Sequence, residues 1–255
     1  MSDRLKSITF TIVLCLVCSV LLTAASTTLK SAQELNMRTD RRKNILKSAG
    51  LIDPGAAYSA GAIDQLYSER IAALAVDPSG IIIEKNEKNK DARPPSSGES
   101  LPMYLALDPQ KEIEAYIIPI ESRGLWGKIY GYLALQKDGA TVKGFTVYKH
   151  SETPGLGGEI ENQWFQKNFT GKKIVDHNNQ FVSVSITKGK AADTVTKARL
   201  PNYVDGISGA TLTGQYLTQG LREALSEYEP TSIRFRQDIL QCRMQNAVPW
   251  CKDEK

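Results

Sequence analysis

The chain has 255 residues, of which 41% are hydrophobic and 24% are charged, and its formal net charge is +4 at pH 7. This length is enough to bury a substantial core in one domain or two closely joined subdomains, and it excludes a large multidomain machine. A net charge so small and dispersed does not favour a nucleic-acid-binding protein.

The chain opens with a long apolar segment. Residues 8–22 are almost entirely apolar, and with residues 23–26 they reach the roughly 20 residues that are needed to span a bilayer. This pattern predicts one transmembrane helix. A cleaved signal peptide is the alternative, because Arg4 and Lys6 precede the run and small residues lie near its end.

The charges that flank this segment give an orientation. Arg38, Arg41, Arg42 and Lys43 follow it and outnumber the positive residues before it. Read by the positive-inside rule, they would leave the large domain in the cytoplasm. The same run is basic enough to touch acidic lipid, although a solvated helix face is the favoured interpretation.

The four cysteines form two pairs of different character. Cys15 and Cys18 lie in the apolar segment without a polar partner nearby, so we interpret them as small packing residues rather than a redox or metal pair. Cys242 and Cys251 could form a disulfide in an oxidising compartment. With two histidines in the chain and no dense Cys/His cluster, the sequence does not favour a structural zinc site.

Hydrophobic periodicity predicts a mixed α+β domain with a mixed or antiparallel sheet on a single N-terminal transmembrane helix. Helices are expected at residues 31–49, 62–74, 163–169 and 213–228. Strands are expected at residues 80–84, 115–120, 129–135, 142–148 and 181–186, and an exposed loop at residues 85–100.

A glycine-rich loop follows the predicted strand 142–148. It reads His150-Ser-Glu-Thr-Pro-Gly-Leu-Gly-Gly158, and such a loop lets backbone N–H groups reach a ligand. A tight turn that needs glycine for its dihedral angles explains the pattern equally well. For His150, a hydrogen-bonding role in the loop is favoured over a role as a catalytic base.

A second loop, Asp205-Gly-Ile-Ser-Gly-Ala-Thr-Leu-Thr213, leads directly into a predicted helix. Free N–H groups and the helix dipole stabilise phosphate at such a position. The alternative is that Ser208, Thr211 or Thr213 caps the helix. The loop lacks the patterns of a P-loop, a dinucleotide-binding turn and a serine-hydrolase elbow. The residues alone therefore predict an anion site or a cap, not a covalent bond.

Residues 205–211 resemble the flavinylation motif of FMN-binding domains, D-g-x-[st]-g-A-[TS], whose final hydroxyl residue carries FMN through a phosphoester. Thr211 occupies that final position. The stretches Glu152-Thr-Pro-Gly-Leu-Gly157 and Gly124-Leu-Trp126 are similar to the family's two other signatures, in the expected order. Three such matches together are specific.

Within this family the chain most resembles the C subunits of bacterial sodium-translocating NADH:quinone oxidoreductases. Residues 43–51 and 123–135 carry this resemblance, which extends over residues 1 to about 230. The G subunits of ion-translocating ferredoxin:NAD oxidoreductases have the same kind of domain, but residues 43–51 favour the sodium pump. A membrane-anchored protein that binds an anion or ligand noncovalently remains a further alternative.

The resemblance implies that a separate flavin transferase attaches FMN from FAD to Thr211, and that the protein relays single electrons without turnover of its own. It implies no catalytic residue and no metal. The other expected FMN-binding residues are Asp205, Ser208, Gly209, Ala210, Leu212, Thr213, Trp126, Glu152, Thr153, Gly155, Leu156, Gly157 and Lys188. The implied partners are the membrane and the remaining subunits of a complex that couples NADH oxidation and quinone reduction to sodium export.

The sequence indicates four segments in order, and the resemblance implies a location. Residues 1–30 are expected to form the anchor, 31–110 a juxtamembrane helical and first α/β part, 111–237 the FMN-binding domain, and 238–255 a tail of unassigned role. The flavin domain is expected in the periplasm, on the bacterial inner membrane, which opposes the orientation read from the flanking charges.

Overall fold

The computed structural model describes residues 3–83 and 100–237 of the chain. It divides the protein into two compact units, Met1–Asp40 and Arg41–Lys255. Apart from Ser100, the loop predicted at residues 85–100 lies outside the described residues, and so do the tail 238–255 and both of its cysteines.

The elements are bounded as follows. The helices are α1 (Asp3–Ser48), α2 (Ala60–Arg70), α3 (Gln163–Lys167), α4 (Ala191–Thr194), α5 (Thr211–Glu227) and α6 (Glu229–Arg236). Two 3-10 helices cover Gly157–Glu161 and Lys197–Asn202. The strands are β1 (Ile71–Val76), β2 (Ile82–Ile83), β3 (Leu101–Leu107), β4 (Ile113–Arg123), β5 (Lys128–Gln136), β6 (Val142–Lys149), β7 (Ser185–Ile186) and β8 (Tyr203–Val204).

The apolar segment at the N-terminus belongs to α1, one helix of 46 residues. The anchor helix and the juxtamembrane helix, predicted as two elements, are continuous, because no proline or glycine interrupts residues 3–48. By length and composition α1 is able to cross a membrane, a test that a signal sequence near the N-terminus also passes. Cys15 and Cys18 are exposed on this helix.

The globular unit is built on a six-stranded sheet in the order β2-β1-β3-β4-β5-β6, with each neighbouring pair antiparallel. The predicted combination of an antiparallel sheet with helices is confirmed. The boundary expected at residue 110 falls between β3 and β4, which are paired within this sheet. A separate two-stranded parallel sheet joins β7 and β8.

Both faces of the six-stranded sheet are buried. Along β4, Tyr116 and Ile118 belong to one hydrophobic cluster, whereas Ala115 and Ile117 belong to another. This alternation follows from the two-residue period of a strand. The first cluster includes Leu217 and its neighbours on α5, and the second includes Ile63 and its neighbours from α1 and α2.

Helix α5 lies close against β4. Leu217, Leu221 and Leu225, which the sequence places on one helix face, are fully buried. Gly220 allows the close approach, because a Cβ at this position would lie 2.3 Å from the Ser122 Cβ. The Ser122 hydroxyl donates a hydrogen bond to the Tyr216 carbonyl oxygen at 2.7 Å. Side-chain packing and this bond together fix the helix on the sheet.

Other predicted elements differ from the structure in their extent. The helix expected at 62–74 ends at Arg70, and the following apolar run forms β1, which pairs with β3. A short apolar run cannot be assigned to helix or strand by periodicity alone. The strand expected at 181–186 is limited to Ser185–Ile186, since Ser183 has a φ of 68° that breaks the extended backbone.

The close packing of α5 predicts the effect of substituting Gly220. We expect Gly220→Ala to lower the free energy of unfolding by about 1–3 kcal/mol, because the added methyl group overlaps Ser122. Gly61→Ala in α2 is the matched control, because a Cβ at this position meets nothing within 4 Å. The better helix propensity of alanine should raise the free energy of unfolding by up to about 1 kcal/mol. Denaturant unfolding of the full chain in detergent measures both, and equal stability of the two variants would contradict the packing account.

Candidate functional site

A cleft of about 220 Å³ opens where three segments of the globular unit meet. The turn between β4 and β5 forms one wall, the loop after β6 forms a second, and the start of α5 forms the third. The residues that line the cleft are Leu125, Trp126, Glu152, Thr153, Leu156, Gly157, Gly209, Ala210, Thr211, Leu212 and Thr213.

Helix α5 begins at the cleft with unsatisfied N–H groups. Its N-cap residue is Ala210, and no side chain caps the helix. The alternative in which Ser208, Thr211 or Thr213 caps α5 is therefore wrong. The amide groups of the first turn have no partner within a helix, so they and the helix dipole favour an anion at this end. Thr211, the first residue of α5, is exposed to solvent.

Gly209 shapes the turn that precedes this helix. Its φ of +75° lies in the left-handed region that glycine adopts readily. A Cβ here would also come within 2.7 Å of the Leu156 Cδ2 atom. The glycine therefore lets the two loops of the cleft approach each other.

Glu152 is the buried charged group of the site, with a relative exposure of 5%. Its Oε1 accepts a hydrogen bond from the Trp126 backbone N–H at 3.1 Å, and its Oε2 accepts one from the Thr213 hydroxyl at 2.5 Å. The buried carboxylate thus has a hydrogen-bond donor at each oxygen, as burial requires.

His150 stabilises the loop that carries Glu152. Its Nδ1 accepts a hydrogen bond from the Glu152 backbone N–H at 3.1 Å, and its Nε2 lies 3.0 Å from the Glu161 Oε2. The predicted role of His150 as a hydrogen-bonding loop residue is confirmed. With Nδ1 as an acceptor, the ring proton of a neutral imidazole lies on Nε2, where it bonds to Glu161.

The cleft has an unusually exposed apolar lining. Leu125, Trp126, Leu156 and Leu212 have relative exposures of 46%, 69%, 44% and 49%. Large apolar side chains that stay exposed together around a concave site are typical of a ligand pocket. Leu125 was not among the predicted site residues, although its position between Gly124 and Gly127 offered a signal.

Four predicted site residues do not line the cleft: Asp205, Ser208, Gly155 and Lys188. Asp205 has a backbone partner instead, since its Oδ1 accepts a hydrogen bond from the Ala191 backbone N–H at 2.7 Å. Ser208, Gly155 and Lys188 are exposed. In the described part of the chain, no group of three or more His, Cys, Asp or Glu residues could hold a metal ion.

Comparison with known families defines the class of this protein. Residues 124–226 match the family model of the FMN-binding domain, a range that contains every residue of the cleft. The part of the globular unit that runs from the turn after β4 to α5 is therefore an FMN-binding domain.

Comparison with individual proteins shows to which family with this domain the chain belongs. The chain is 36% identical over 225 residues to the C subunit of the Na(+)-translocating NADH-quinone reductase of Haemophilus ducreyi, covering 82% of this chain and 84% of that protein. The C subunit of the Yersinia pestis enzyme is 34% identical over 229 residues, covering 82% of this chain and 83% of the relative. This chain belongs to the family of Na(+)-translocating NADH-quinone reductase C subunits.

Two solved structures resemble the fold. The crystal structure of the Na(+)-translocating NADH-quinone reductase C subunit from Parabacteroides distasonis superposes with a TM-score of 0.68 at 30% identity, covering 80% of this chain and 96% of that one. That of NqrC from Shewanella oneidensis gives a TM-score of 0.66 at 20% identity, covering 79% and 99%, and supports the fold alone.

The residues of the cleft fit FMN. The uncapped start of α5 offers N–H donors for a phosphate group. The exposed leucines and Trp126 provide apolar surface for a planar aromatic ring. Thr211, the first residue of the helix, lines the cleft and carries a hydroxyl group.

Proposed function

We propose that this chain is the FMN-carrying electron-transfer subunit of a bacterial Na(+)-translocating NADH-quinone reductase. The observation that carries the proposal is the exposed Thr211 at the uncapped start of α5, inside an apolar cleft of an FMN-binding domain. The chain acts within the complex and has no independent turnover. Its partners are the other subunits of that complex.

FMN is held covalently through a phosphoester to the Thr211 hydroxyl. Three hydroxyl groups lie in or near the motif, but they differ in their surroundings. Thr213 is 2% exposed and donates its hydrogen bond to Glu152, whereas Ser208 is exposed but does not line the cleft. Thr211 alone of the three is both exposed and part of the cleft wall.

A separate flavin transferase makes the bond from FAD. The Thr211 oxygen bonds to the phosphorus of the FMN half, the diphosphate P–O bond to the other half breaks, and AMP leaves while the hydroxyl proton passes to a base. Thr211 is thus a modification site and not a nucleophile that turns over. The start of α5, the positive end of its dipole, would hold the phosphate.

The bound flavin supplies one-electron chemistry, and the protein supplies position and environment. Leu125, Leu156 and Leu212 surround the cleft with apolar groups that displace water from a ring system. The first turn of α5 would hold the phosphate end through its N–H groups. The residues thereby keep one electron carrier at a fixed place in the complex.

Two alternatives make different predictions. The G subunit of an ion-translocating ferredoxin:NAD oxidoreductase would share the domain, but the relatives at 36% and 34% identity favour the sodium-translocating complex. A protein that binds an anion noncovalently would use the same start of α5, but it would lose its ligand on denaturation.

The covalent bond predicts a fluorescent band on a denaturing gel. After coexpression with a flavin transferase, the chain should fluoresce under ultraviolet light, and Thr211→Val should abolish the signal because it lacks the hydroxyl. Thr213→Val is the matched control, and it should keep the band at the end point of the reaction. A dark band for the unaltered chain, or loss of the band with Thr213→Val alone, contradicts the assignment.

The flavin domain lies in the periplasm, with α1 as the membrane anchor. Flanking arginines at 38, 41 and 42 argue for the opposite orientation, but long domains cross membranes largely regardless of such charges. A protease added to intact spheroplasts should therefore digest the globular unit. Protection of the unit until the membrane is permeabilised would place it in the cytoplasm and refute this orientation.

A further inference from the structure

One carboxylate joins two walls of the cleft. Glu152 accepts hydrogen bonds from the Trp126 backbone N–H, in the turn between β4 and β5, and from the Thr213 hydroxyl, in the first turn of α5. These donors lie on segments that are far apart in sequence. Each of the two contacts would be lost if the turn or the helix moved away from the loop at residue 152.

The residues around Glu152 pack closely against its carboxylate. A Cβ at Gly124 would lie 2.5 Å from the Glu152 Oε1, and a Cβ at Gly157 would lie 2.6 Å from both the Glu152 Oε2 and the Thr213 Oγ1. Glycine at both positions therefore makes room for the carboxylate. An ionised carboxylate only accepts, so it can receive both donors at once.

The two hydroxyl groups at the start of α5 differ because of this contact. Thr213 is buried and donates to Glu152, while Thr211 is exposed in the cleft. Residues two positions apart on a helix do not share a face, so the bond at Thr213 turns the side chain of Thr211 in a different direction. The Glu152 contact thus fixes the rotation of the first turn as well as its position.

We propose that Glu152 is a positioning residue for the modification of Thr211, a role that rests on the proposed function. By holding the Trp126 amide and the Thr213 hydroxyl, it keeps the cleft in the form that a flavin transferase recognises. It also holds the Thr213 hydroxyl in a hydrogen bond, so that Thr213 does not compete with Thr211 as the residue that receives FMN. Glu152 does not bond to FMN in this account, and it acts through the two residues that it holds.

The test uses the full chain in detergent, purified without FMN, with Trp164 and Trp250 changed to Phe so that Trp126 is the single tryptophan. Fluorescence anisotropy of Trp126 reports the turn before any flavin is present. The initial rate of FMN attachment, with added transferase and FAD, is measured on the same samples by in-gel fluorescence.

Glu152→Ala should lower the anisotropy of Trp126 and slow the attachment by about tenfold, because both contacts lose their acceptor. Glu152→Gln should restore both readouts to within about twofold, since the amide oxygen accepts from Trp126 and the amide nitrogen donates to the Thr213 oxygen. Glu223→Gln removes an equal charge from the exposed face of α5 and should change neither readout.

Several outcomes would overturn the positioning role. The first is that Glu152→Ala accepts FMN as fast as the unaltered chain, and the second is that the anisotropy of Trp126 is unchanged in that variant. The third is that Glu152→Gln accepts FMN as slowly as Glu152→Ala. If the unaltered chain accepts no FMN at all, the proposed function fails, and the anisotropy still tests whether Glu152 holds the turn.

Discussion

The site depends on the contact between α5 and β4. Gly220 brings the helix close to Ser122, and the Ser122 hydroxyl bonds to the Tyr216 carbonyl oxygen at 2.7 Å. The buried leucines of α5 anchor the same face in the core. Since a helix is stiff over four turns, this packing decides where its first residue lies. The cleft exists because that end of α5 meets two glycine-containing loops.

The start of α5 is attractive to anions and already has one anion nearby. Its uncapped N–H groups favour phosphate, while the Glu152 carboxylate bonds to Thr213 in the same turn. Under the proposed function, the dipole of the helix end would be shared between this carboxylate and the phosphate group of FMN. The proposed covalent bond at Thr211 would retain the cofactor whatever the strength of this electrostatic attraction.

Much of the fold was predictable from the sequence, and the exceptions have physical causes. The apolar strands β4, β5 and β6 and the leucine face of α5 follow from the residue pattern of the sequence. Most of strand β1 was assigned to a helix because its apolar run fits both patterns, and its partner β3 is about 30 residues away in the chain. Pairing over that separation leaves no local signal.

The sequence motifs predicted which segments form the site, but they did not predict the role of each residue. The three signatures identified the segments that form the cleft. Spacing alone did not separate Thr211 from Thr213, because the difference arises from burial and from a bond to Glu152, 61 residues away. Asp205 belongs to the motif, but its structural contact is with Ala191, which only the folded chain brings near.

The central claim is that Thr211 carries FMN as a phosphoester, and peptide mapping of the native protein tests it most directly. Protein purified from its own membrane complex is denatured and digested, and the peptide that contains residues 205–213 is fragmented in a mass spectrometer. The account predicts that this peptide is heavier by the mass of FMN less one water, with the added mass on Thr211. An unmodified peptide, or added mass on Ser208 or Thr213, would contradict it.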